Sequence, residues 1–216
     1  LHTIPDRRLS ECTVAVLSSL IALGVLSISF IGFFPGGFPS DTVSQLMQAR
    51  TNVYDNWHPL MHTLLIKAGL LLVDHPSINV AIQLVLFSLL IGQVARIPYA
   101  CGIKARNIFF SVALFALLPN NAVPNISPLK DFPFTYVLVW AMVLLFKIIM
   151  DVKMLRKPIF LVELSVAMVL LKELRHNGIV PFAFMSCVLL IMTIRHWHMI
   201  KVRAMTCLAS ACIIIA

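Results

Sequence analysis

The sequence predicts an all-α polytopic membrane bundle of about seven transmembrane helices, with two external interfacial helices after the first span. Three observations predict it. Of 216 residues, 60% are hydrophobic and 12% charged, with a mean hydropathy of +0.94. A soluble domain of this length cannot bury so much apolar surface. The apolar residues come in runs of helix length and not as alternating ten-residue segments, which selects helices over a barrel. The basic residues gather in short clusters between those runs, as they do in cytoplasmic loops. The net charge of +8 therefore speaks for topology and against a nucleic-acid partner.

Residues 13–34 form an uncharged apolar run that meets the ~20 residues a span requires. Further spans are expected at about 77–95, 107–123, 132–150, 158–172, 178–194 and 204–216. No internal repeat is visible, and the whole of 1–216 reads as one membrane domain. The chain opens on Leu1 and stops at Ala216 inside an apolar run, which reads as a fragment of a longer protein. The first run follows Asp6, Arg7, Arg8 and Glu11 and suits an anchor better than a cleaved signal peptide. The five cysteines lack CxxC or Cys/His ligand spacing, so neither a disulfide framework nor a structural metal is inferred.

Topology turns on the stretch NWHPLMHTLLIKAGLLLV, residues 56–73. If it spans, the clusters around Arg96, Lys104 and Arg106, around Lys153, and around Lys201 all lie opposite Arg7 and Arg8. If it stays outside, twelve of the seventeen Lys and Arg are cytoplasmic and five (Arg50, Lys67, Lys130, Lys172, Arg175) are external. Basic loops resist translocation, so the second arrangement is preferred. Helix length agrees. From Pro59 to Val73 the chain makes about 22 Å of helix, short of a ~30 Å hydrocarbon core, and Lys67 at its centre opposes insertion. Residues 35–76 are thus expected as one external loop with interfacial helices at 41–51 and 59–73. Lys67 is expected to snorkel toward headgroups. The N-terminus is expected in the cytoplasm.

That arrangement gathers acids, bases and hydrogen-bonding residues on the external side. In PGGFPSDTVSQLMQAR, Pro35, Gly36, Gly37 and Pro39 break the chain, and Ser40 or Asp41 can cap the helix that follows. Val43, Leu46 and Met47 form its apolar stripe. Asp41 is either a first-turn acid stabilised by the helix N-terminus or a general base at the membrane surface. Trp57 and His58 serve either as interfacial anchors or as substrate ligands. Pro59 suits a first helical turn.

In ISPLKDFPF, Lys130 and Asp131 are either a local charge pair or a cation for an anionic ligand beside a second carboxylate. In LLKELRHNGIVPF, Lys172, Glu173, Arg175, His176 and Asn177 gather between two spans, and the planar fork of Arg175 suits phosphate. Asn125-Ile-Ser matches a weak glycosylation pattern. Glu163, inside a span, is expected to pair with Lys147 near the interface.

Taken together, PSDTVSQ, NWHPLMHTLL, LKDFPF and LRHNG resemble the glycosyltransferase-C superfamily of polytopic, lipid-linked-sugar-dependent transferases. The resemblance is to uncharacterised bacterial members and to the protein O-mannosyltransferase and lipid A aminoarabinose transferase group. HPL stands here where that group carries HPPL or KPPL, and Asp41 stands alone where many members have paired acids.

The resemblance implies transfer of a sugar from a polyprenyl-phosphate donor to a glycan or lipid acceptor, with inversion, on the periplasmic face of the inner membrane. It implies Asp41 as catalytic base. Lys130, Arg175 and His176 would neutralise the leaving phosphate, and Trp57, His58, Asp131 and Asn177 would hold sugar or acceptor. Asp41 and Asp131 are the candidate ligands should a divalent cation take part. Two other readings stand beside this one: a transporter or flippase for a lipid-linked or amphipathic solute, and a truncated, inactive membrane protein.

Overall fold

The computed structural model describes residues 9–55 and 57–195. The expected span at 204–216 and the basic residues Arg7, Arg8, Lys201 and Arg203 lie outside the described residues. Among the described residues all regular structure is helical: α1 (Glu11–Gly32), α2 (Ser40–Thr51), α3 (Leu60–Leu72), α4 (Ser77–Ala100), α5 (Ala105–Leu117), α6 (Pro119–Asn125), α7 (Asp131–Met150), α8 (Pro158–Glu173) and α9 (Ile179–Arg195). The chain falls into two compact units. The first holds residues up to Val53 together with Leu64–Phe132, and the second holds Tyr54–Thr63 and the residues from Pro133 onward.

Among the described residues, four helical segments are long and apolar enough to cross a membrane: α1, α4, α7, and α9 with the turn before it (His176–Arg195). A fifth crossing is available if α5 and α6 count as one bent element. The expected count of about seven is not confirmed, and the described helices differ from the expected spans in two places. Residues 107–123 are not one straight helix but α5 and α6, bent by 62°. The cause is local: Leu118 precedes Pro119 and is extended (φ −60°, ψ 129°), the conformation that a following proline imposes. Asn121 Nδ2 then donates to Phe115 O, satisfying a carbonyl that the interrupted helix leaves open. Residues 158–172 form α8, whose 16 residues make about 24 Å of helix, short of the usual span.

In the first unit, α1, α4 and α5 pack as an up–down–up trio, as two buried clusters show. Val14 and Ala22 of α1 meet Ile91, Ala95 and Tyr99 near the end of α4 and Ile108 and Val112 of α5. Leu26, near the other end of α1, meets Val80 and Leu84 at the start of α4, Ala116, and Ala122 of α6. Polar contacts mark the two ends. At one, the Tyr99 hydroxyl donates to Leu9 O at 2.7 Å and Arg96 approaches Glu11 at 3.7 Å. At the other, Phe34 after α1 stacks on His75 before α4, with centroids 5.9 Å apart. The connection from 33 to 76 therefore leaves and rejoins this helix trio at the same end.

That end is closed by a glycine turn. Gly36 has φ +118°, and a Cβ there would stand 2.7 Å from Ile126 O and 2.9 Å from a Val80 methyl. No other residue fits both the backbone and the space.

The second unit packs α7, α8 and α9 around Phe134, Val137, Ala141, Leu144 and Ile148 of α7. Their three- and four-residue spacing puts them on one face of the helix. Leu161, Leu164, Met168 and Leu171 of α8 and Phe182, Met185 and Leu189 of α9 complete the core. Inside it the Trp140 indole donates to Glu163 at 3.0 Å. Glu163 is thus held by an indole, the partner found for it where an ion pair was expected.

Candidate functional site

The candidates expected on the external side divide between the units. Asp41, Lys130 and Asp131 belong to the first, while Trp57, His58, Arg175, His176 and Asn177 belong to the second.

In the first unit Asp41 and Lys130 meet. Lys130 Nζ donates to Asp41 Oδ2 at 3.3 Å across 89 residues of sequence. The Asp41 side chain is 47% exposed and that of Lys130 21%, so solvent reaches the carboxylate while the ammonium is mostly enclosed. Asp41 is not a cap: Pro39 occupies the N-cap position of α2, no side chain caps the helix, and Asp41 sits in its first turn. Asp131 opens α7, one residue after Lys130.

α2 turns its polar side inward. Thr42, Gln45, Gln48 and Ala49 are buried, whereas Val43 and Met47 of the apolar stripe are exposed. A helix buried on its polar side and apolar outside has the opposite sidedness to a soluble surface helix and suits contact with lipid. α3 likewise exposes Leu60, Leu64, Leu65, Leu71 and Leu72. The headgroup-directed path expected for Lys67 has a protein partner at its end. The Lys67 ammonium donates to Asn52 Oδ1, at the left-handed residue that ends α2 (φ 59°). Arg50 and Asp74 add an exposed ion pair at 2.8 Å between the end of α2 and the approach to α4.

The segment 125–130, which delivers Lys130, is held from three directions. Gln83 Nε2 of α4 donates to Asn125 O at 3.1 Å and to Ser127 O at 3.2 Å. Gly37 N donates to Ile126 O at 2.9 Å, and Thr42 Oγ1 donates to Pro128 O at 3.2 Å. Asn125 itself is buried, its amide turned back to Asn121 O, so the glycosylation pattern there offers no accessible acceptor. Two more buried amide nitrogens of this unit, Gln48 Nε2 and Asn79 Nδ2, have no hydrogen-bond partner.

In the second unit Trp57 is 79% exposed, as an interfacial or ligand-facing aromatic is, while His58 and His62 are buried on one side of the α3 entry. The Asp55 carboxylate accepts from Trp57 N at 3.0 Å and fixes the turn. The Arg175 guanidinium lies 5.7 Å from the centroid of the Phe134 ring, a cation–π contact that joins the end of α8 to the start of α7. His176 and Asn177 are exposed in the turn that follows, and Lys172 pairs with Glu173 at 3.3 Å. Gly178 closes this turn so tightly that a Cβ would overlap Leu171 O.

The arrangement offers a solvent-reachable carboxylate beside an enclosed lysine in one unit and a flat cation in the other. It does not offer a built metal centre: among the described residues no three His, Cys, Asp or Glu side chains converge. Sequence reasoning passed over Thr42 and Gln83, although Gln83 and Asn79, polar residues four apart inside an apolar span, were a visible signal. No family model, curated protein or solved structure matches the chain.

Proposed function

We propose that the chain is an integral membrane glycosyltransferase that moves a sugar from a polyprenyl-phosphate donor to a hydroxyl acceptor at the external membrane face. The observation that carries the reading is the pairing of Asp41 with Lys130, a base and a cation drawn from two distant segments to one end of the first unit. The resemblance of PSDTVSQ, NWHPLMHTLL and LKDFPF to lipid-linked-sugar transferases supports it. So does the return of 33–76 to the same end of α1 and α4, because a loop that leaves and rejoins one end has not crossed.

In this reading Asp41 accepts the proton of the acceptor hydroxyl as its oxygen attacks the anomeric carbon. The bond from that carbon to the phosphate oxygen breaks, and polyprenyl phosphate departs with the electron pair. Lys130 neutralises the departing phosphate. Asp131, next to Lys130 in the chain, is the residue of the same unit proposed to orient sugar or acceptor. The apolar outer faces of α2 and α3 rest against acyl chains.

One observation favours transport instead. α5 and α6 form a broken apolar element, and broken helices line the substrate sites of many transporters. A single assay separates the two readings. The purified protein in vesicles is given radiolabelled polyprenyl-phosphate sugars with candidate acceptors. Covalent transfer that falls at least tenfold in Lys130→Met supports the transferase. Vesicle uptake or lipid translocation with no covalent product rejects it.

A further inference from the structure

The four carbonyls from Asn125 to Pro128 point to donors on three other elements: Gln83 of α4 serves two, Gly37 of the glycine turn one and Thr42 of α2 one. Such a run of irregular backbone ordinarily turns its carbonyls to water. Here each is taken by a donor remote in sequence, with Ser127 O also accepting from Leu129 N at 2.8 Å, and Lys130 stands two residues beyond the last of them. Gln83 is buried in an apolar span, where an amide is costly unless both its hydrogens are used, and here both are. Thr42 is the neighbour of Asp41, so one helix turn carries the base and also grips the strand that carries its cation.

We infer that Gln83 and Thr42 are positioning residues: they hold segment 125–130 so that Lys130 is set against Asp41 before any ligand arrives. The catalytic consequence rests on the glycosyltransferase reading, whereas the positional one stands without it. A simple cap on α6 would be served by the bond to Asn125 O alone. The second bond, to Ser127 O, lies beyond the helix and fixes the path toward Lys130.

Two measurements on the full chain in membranes test this. In the first, the five native cysteines are replaced, cysteines are placed at 41 and 130, and their cross-linking by a short bifunctional thiol reagent is timed. Gln83→Met, which keeps the volume and loses both donors, is expected to slow cross-linking by about tenfold, and Thr42→Val by about threefold. Ser88→Ala, which removes an equally buried hydroxyl bonded only within α4, is expected to change nothing. An unchanged rate in both Gln83→Met and Thr42→Val overturns the proposal.

The second measurement titrates polyprenyl phosphate into the cysteine-containing parent. Lys130→Met and Gln83→Met each weaken binding, and the double variant is no weaker than Lys130→Met alone, because Gln83 acts through Lys130. Additive losses would contradict that route. A parent that binds no polyprenyl phosphate rejects the functional reading, and the cross-linking rates then decide the positional one.

Discussion

Asp41→Asn is expected to reduce sugar transfer by about 10²- to 10⁴-fold, the usual contribution of a positioned general base. The substitution keeps the size and the first-turn position in α2 and removes the basic oxygen. The pair it breaks contributes little to stability, since a half-exposed ion pair is worth roughly 0–1 kcal/mol. Helicity and thermal midpoint should therefore stay near wild type while turnover falls. A fall in midpoint parallel to the fall in activity would assign Asp41 a structural role. Unchanged turnover would remove it from the mechanism.

The second large effect lies in packing. Gly92 is where α4 comes closest to α1: a Cβ there would stand 2.5 Å from Ala15 O and closer still to Ser19 Oγ. Ser19 already donates to Ala15 O, so neither group can move aside without breaking that bond. Small residues at such crossings let membrane helices approach backbone to backbone. Gly92→Leu is expected to force the helices apart and to destabilise the first unit by about 1–3 kcal/mol or more. Gly24 on α1 has nothing within 4 Å of its Cβ position, so Gly24→Ala should be neutral or stabilise by up to ~1 kcal/mol. Thermal unfolding in detergent distinguishes them. Equal midpoints for the two variants would mean that α1 and α4 do not cross at Gly92.

The contrast between these two glycines shows what the sequence alone reveals and what it withholds. Both sit in apolar helices, and only the partner backbone tells them apart. Helix positions were legible where the chain itself punctuates them, as Pro35 to Pro39 do before α2 and Pro59 does before α3. The break at Leu118 was legible in principle from Pro119, but the apolar run on both sides concealed it. The inward polar side of α2 was not legible, because periodicity gives two faces and only the surrounding medium decides which is buried. Val43 and Met47 stay exposed, as the stripe of an interfacial helix does, while the burial of Thr42, Gln45 and Gln48 depends on the segments packed behind them. Asp41 and Lys130 were each visible as candidates. Their contact was not, since it depends on Gln83 and Gly37 steering a segment far away in sequence.

The 33–76 connection that holds α2 and α3 and the α6 end of the segment leading to Lys130 are expected to share the external face, with the Arg96–Arg106 connection opposite. Single cysteines at Asp74, Asn120 and Lys104, all exposed positions, report on it directly in a cysteine-free background. In intact cells a membrane-impermeant maleimide should label positions 74 and 120, and position 104 only after permeabilisation. Labelling of 104 in intact cells with 74 protected would contradict the account.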